Sequence, residues 1–204
     1  MITLGLVLLL TISAVFAQTD QNSVRYYEEA NEKQLQIIND LYSSKEEISY
    51  GKYIETVFPD SLQYIPIEAL EEFNKITMTW DAKDSKEETK GTKGWDWYQV
   101  GHASKLDTSP ANFIQYESGS KVWIPYPGCP IPHMSVNSNL ERNGTIEASV
   151  LVYDDNIGEI VAEGAWHKTS GSYKTIGHHS GIYPSGCTPP SYYTTTQTSV
   201  QTVP

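Results

Sequence analysis

The stretch GTIEASVLVYDDNIGEIVAEGAWH, residues 144–167, alternates its side chains with a period of two through both halves. That is the repeat of an extended strand with one buried face, and a helix cannot satisfy it. On this alternation Ile146, Ala148, Val150 and Val152 share one face, and Glu147, Ser149, Leu151 and Tyr153 the other. Ile160, Ala162, Gly164 and Trp166 line one side of the return. Between the halves, DDNIG offers turn residues, so the sequence predicts a hairpin. Asp154, Asp155 and Asn156 read as a turn, because the twelve-residue calcium-loop pattern and its closing glutamate are missing.

Shorter strand candidates surround this pair: WDWYQVG at 95–101, NFIQY at 112–116, KVWIPY at 121–126 and SYKTIGH at 172–178, with ESGS as a tight turn between the second and third. The proline-rich run 124–132 is an edge or loop, since proline cannot donate to a central ladder. No helix-length crossover separates these strands, which points to antiparallel pairing. Ahead of them, Val24, Tyr27, Ala30, Leu35, Ile38, Leu41 and Tyr42 fall at helical spacing, with Asn22 or Ser23 placed to cap the start. In PIEALEEFNKI, Pro66 suits a first turn and Ile67, Leu70, Phe73 and Ile76 recur on one face. The expected fold class is therefore α+β, an antiparallel β-sandwich or small barrel with an N-terminal helical segment.

The expected organisation is a signal peptide at 1–17, the helical segment at 18–80, a charged linker or loop at 81–94, a β-rich domain at 95–187 and a disordered Ser/Thr/Pro tail at 188–204. The signal reading rests on the apolar core Leu4–Leu10 followed by small residues, with Val15 and Ala17 at −3 and −1 of a cleavage site. Polar residues follow from Gln18, too soon for a membrane anchor of about 20 apolar residues. The linker reading rests on eight charged residues in fourteen, and the tail reading on eight Ser or Thr and three Pro in seventeen residues with no charge.

A secreted chain lives in an oxidising compartment, where its two cysteines, Cys129 and Cys187, are most simply a disulfide closing a loop of 57 residues. Asn143-Gly144-Thr145 is an N-glycosylation acceptor. With 25 acidic against 14 basic residues, the chain would repel a phosphate backbone, which excludes nucleic acid as a partner.

His178 and His179 resemble a metal or catalytic pair, but adjacent residues of a strand point to opposite faces and cannot hold one ion. No metal site and no cofactor are expected. The sequence has no nucleophile elbow, zinc-protease, phosphate-loop or dinucleotide motif. A carboxylate-dependent hydrolase could draw on Asp96, Glu117, Glu147 or Glu163, and an acidic matrix protein would take calcium or mineral; both are alternatives to the main reading. That reading is a secreted binding or structural glycoprotein, without a membrane anchor, that contacts glycans or extracellular matrix through Trp95, Trp97 and Trp123. Core packing is the competing role for each tryptophan.

Overall fold

The computed structural model describes residues 25–81, 86–93, 96–124 and 130–204. The chain runs β1 (Tyr26–Glu29), α1 (Glu32–Ser44), α2 (Tyr50–Val57), a 3-10 turn (Pro59–Gln63) and α3 (Ile67–Phe73). Nine strands follow: β2 (Lys86–Lys93), β3 (Asp96–Asp107), β4 (Phe113–Ile124), β5 (Ile131–Arg142), β6 (Thr145–Ile157), β7 (Glu159–His167), β8 (Gly171–Ile182), β9 (Ser191–Gln197) and β10 (Gln201–Val203). A six-stranded sheet has the order β1-β6-β5-β8-β10, with β9 also pairing with β8, and a four-stranded sheet has the order β2-β3-β4-β7. All pairs of named strands are antiparallel, and the two sheets pack as a sandwich, as the period-two pattern predicts.

Two cores result. One lies between the sheets, around Val100, Ile114, Val122, Met134, Val136 and Val150. The other lies between the helices and the outer face of the six-stranded sheet, around Ile38, Tyr50, Tyr53, Phe58, Phe73 and Leu151. Among the described residues no helix is long and apolar enough to cross a membrane.

Several expectations need correction. The stretches 145–157 and 159–167 are both strands, but they do not form a hairpin: β6 pairs with β1 and β5, whereas β7 pairs with β4 in the other sheet. Gly158 is the corner where the chain changes sheets. A register shift between Leu140 and Glu141 gives β6 an extra residue, so Ile146 joins the helix-side core while Ala148, Val150 and Val152 face the sandwich interior. ESGS is not a turn. Residues 113–124 form one strand, with Ser118 and Ser120 buried inward.

The 81–94 segment is not all linker, since 86–93 is edge strand β2, and lysine-rich sequences suit an edge that must not recruit a further strand. The 188–204 tail is not disordered. Strand β9 lies on β8 from Ser191 to Gln197, and the side chains of Thr194, Thr195 and Thr196 are buried. The first helix starts at Glu32, because Asn31 forms a capping box with Gln34 and residues 26–29 are drawn into β1. In α3, Ile67 is exposed, and Ala69 and Phe73 are the buried residues.

Candidate ligand-binding face

The helices cover one face of the six-stranded sheet, and the four-stranded sheet covers the other. Among the described residues no element packs over the outer face of the four-stranded sheet. Strand alternation decides what it shows: Val100, His102 and Ser104 of β3 point inward, so Gly101, Ala103 and Lys105 point outward. Cross-strand register then sets these positions in rows. Gly101, Lys121 and Glu159 form one row, Ala103, Gly119 and Val161 the next, and Lys105, Glu117 and Glu163 the third.

The middle row has only small or branched apolar side chains, so it forms the floor of a trough running across the strands. Its two flanking rows stand four residues apart, or about 13 Å at about 3.3 Å per residue. The open cavity here has a volume of about 680 Å³. Lys121 Nζ lies 2.8 Å from Glu159 Oε2 on one wall, and Lys105 Nζ lies 2.8 Å from Glu117 Oε1 on the other. Exposed pairs of this kind add little stability, so their polar atoms can turn to a ligand at small cost.

Trp123 stands at the end of the trough. The register steps from Gln99 opposite Ile124 to Val100 opposite Val122, which makes Trp123 the extra residue of a β-bulge. Strand alternation, with Lys121 outward and Val122 buried, sets it on the outer face, 60 % exposed. Its indole lies across Gly101 so closely that a Cβ there would collide with it, and only glycine permits that contact. Of the three predicted ligand-binding tryptophans, Trp123 is placed on this face. Trp97 occupies the β3 position opposite Thr92, and Trp95 lies outside the described residues. Cys129 also lies outside them, while Cys187 is buried against the inter-sheet core. Asn143 is exposed at the β5–β6 turn with a φ of 51°.

His178 and His179 point to opposite sides of β8. His179 belongs to a hydrogen-bonded chain inside the sandwich that no sequence motif announces. Tyr183 Oη donates to Thr89 Oγ1 (3.2 Å), which meets His102 Nε2 (2.9 Å); His102 Nδ1 meets Ser120 Oγ (3.0 Å), and Ser120 meets His179 Nδ1 (3.0 Å). From His179 Nε2 the chain continues through Thr196 (2.7 Å), Ser104 (2.6 Å), Ser118 (2.9 Å) and Ser138 (3.0 Å). Since Tyr183 donates at one end, each group passes its own proton onward. That places the His102 proton on Nδ1 and the His179 proton on Nε2.

Both imidazoles are thus neutral. Burial pushes His102 down to about 3, and burial followed by the neighbouring His102 and His178 holds His179 well below the usual histidine range. Gly177 leaves the room this chain needs, because a Cβ there would collide with Ser104, Ser118 and His179. The available sequence signal was polar residues at every second position of β3 and β4, namely His102/Ser104 and Ser118/Ser120.

On the other side of β8, His178 Nδ1 lies 2.9 Å from Tyr193 Oη, whose own proton goes to Thr79 O. The His178 proton is therefore on Nδ1. Its ring stands edge-on to Trp80, with centroids 4.7 Å apart, and burial pushes its pKa down to about 3. His178 Nε2, Trp80 Nε1 and Asn139 Oδ1 are buried without hydrogen-bond partners among the described residues. Among those residues no three His, Cys, Asp or Glu side chains gather at a metal-binding distance.

Comparison of the chain with protein families, with curated proteins and with solved structures finds no match in any of the three.

Proposed function

We propose that the protein is a secreted extracellular glycoprotein that binds a glycan, or another extracellular-matrix component, in the trough of the four-stranded sheet. The observation that carries this reading is Trp123, a large exposed indole at a β-bulge at the end of a small-residue floor. An exposed aromatic face buries the C–H face of a sugar ring, while lysine ammonium groups donate to hydroxyls and glutamates accept from them. Each lysine is matched by an acid, which favours an uncharged ligand. Glu117 and Glu163 are neighbours on the same wall, so they do not stand on opposite sides of a bond to be cleaved. That favours binding over the carboxylate-hydrolase alternative. The apolar segment Leu4–Leu10 and the exposed acceptor Asn143 support secretion and glycosylation, and a Cys129–Cys187 bond belongs to the same proposal.

A glycan array of the secreted protein tests the reading. For any glycan retained, Trp123→Ala is expected to weaken binding by about tenfold or more, or about 1.4 kcal/mol, with an unchanged melting temperature because the residue is at the surface. An empty array, or a Trp123→Ala protein that binds as well as the wild type, would remove the proposal.

A further inference from the structure

Away from the trough, on the helix-bearing face of the six-stranded sheet, His133 of β5 stands opposite Asp155 of β6 and Ile182 of β8. His133 Nδ1 lies 2.7 Å from Asp155 Oδ1 and 2.8 Å from Tyr153 Oη. Tyr153 donates its own proton to that same carboxylate oxygen. The proton bridging His133 to this pair is therefore the imidazole's, on Nδ1, and Nε2 carries the lone pair. Arg25 Nη1 holds the other carboxylate oxygen at 2.5 Å.

The Asp155 side chain is 8 % exposed, so the carboxylate is nearly dry and fixed by three partners. The His133 side chain is 17 % exposed, and its Nε2 is not among the buried unpartnered atoms. No hydrogen bond engages Nε2 among the described residues. Among these residues His133 is also the one imidazole in contact with a carboxylate.

We propose that His133 is a nucleophilic imidazole, oriented by Asp155, that accepts acyl groups from activated esters. Such an arrangement fixes the tautomer and stabilises the positive charge that develops on the ring. In the first step the Nε2 lone pair adds to the ester carbonyl carbon. The C–O bond breaks, and the aryloxide leaves with its electron pair. The acyl-imidazolium that forms keeps its proton on Nδ1, hydrogen-bonded to the Asp155 carboxylate. Water then adds to the acyl carbon and gives one proton to solvent or to the released aryloxide, the C–N bond breaks and returns its pair to Nε2, and the product leaves as the carboxylic acid, which ionises in solvent. Ile182, directly across from His133, favours a short apolar acyl group.

The full chain with p-nitrophenyl acetate as probe tests this inference, with Val200→Ala, at an exposed position between β9 and β10, as a control that leaves the rate unchanged. The wild-type rate is expected to exceed that of equimolar free imidazole by about tenfold or more. His133→Gln is expected to remove the excess, and acid quenching in mid-reaction should trap an acetyl group on the peptide containing His133. In Asp155→Asn the amide oxygen turns to Arg25 and its NH2 group faces Nδ1. This drives the imidazole proton to Nε2, and the rate falls by about tenfold or more. Tyr153→Phe keeps the His133–Asp155 contact and is expected to retain most of the rate if Asp155→Asn fails to fold. A wild-type rate no higher than free imidazole, an acetyl group found elsewhere, or a folded Asp155→Asn protein of undiminished rate would overturn the proposal.

Discussion

The two faces of β8 bury adjacent residues of the same type and hold them by different means. On the sandwich side, His179 is one link of a chain in which both nitrogens of His102 and of His179 are engaged, with the Tyr192 hydroxyl as the unpartnered neighbour among the described residues. On the helix side, His178 uses one nitrogen and leaves the other bare, and its surroundings are the rings of Trp80, Tyr53 and Tyr193. The first environment stabilises by matching polar groups, and the second by aromatic packing that tolerates an unmatched one. A buried histidine is therefore not one kind of residue; what surrounds it decides whether its polarity is needed.

The largest expected effect tests what the two faces share. His102, His178 and His179 are neutral in the folded state, with pKa values lowered by burial, while an unfolded histidine titrates near 6.5. Below that value the unfolded chain binds more protons than the folded one. Stability is thus fully present above about pH 6.5 and is lost as the pH falls toward 3, by about 1.4 kcal/mol per pH unit for each imidazole. Urea titrations between pH 7 and pH 4 should show this slope, and a flat profile would break the account of both faces.

A smaller effect separates them. His179→Phe keeps an aromatic ring, somewhat larger than the imidazole, but strips partners from Ser120 and Thr196, at about 1–3 kcal/mol for each hydroxyl left unmatched. His178→Phe removes the bare nitrogen and one hydrogen bond to Tyr193 while keeping an aromatic ring against Trp80, and is expected to cost about 1 kcal/mol or less. It should also reduce the acid slope by about one imidazole's share. Equal losses in the two variants, measured by chemical denaturation, would erase the distinction.

The sequence showed the strands more clearly than their partners. Alternation in 145–153 and 160–166 reports which positions are buried, but it carries nothing about which strand lies alongside, and a short connection favours the wrong answer. Thr194–Thr196 looked disordered because a polar run seems unable to offset the entropy of ordering. In β9 those threonines are ordered by the ladder to β8 and by bonds to groups remote in sequence, such as Ser104 and Thr79. Lys86–Lys93 failed for the opposite reason, since the charge that marks a linker also marks an edge strand. Of the ligand-binding face, Trp123 was legible as an aromatic in a strand. The trough itself depends on register, which brings Ala103, Gly119 and Val161 into one row, and register is invisible until the strands are paired.

The single-residue corner at Gly158 has a consequence for how fast this molecule can reach its native state. Because β6 turns away from β7, these two strands cannot zip up together, and the one local partner of β6 is β5, joined to it through Asn143 and Gly144. The other partners come from farther along the chain: Tyr26 meets Tyr153 across β1 and β6, Lys121 of β4 meets Glu159 of β7, and the Tyr27 hydroxyl reaches Glu163 O on β7, 136 residues away. Topologies built on such distant pairings must lose loop entropy before any contact repays it, and they fold on the scale of milliseconds to seconds rather than microseconds. Until those pairings form, the apolar face of β7 is uncovered beside β6, and Asp154, Asp155 and Glu159, the charges around the corner, disfavour pairing of the two with each other.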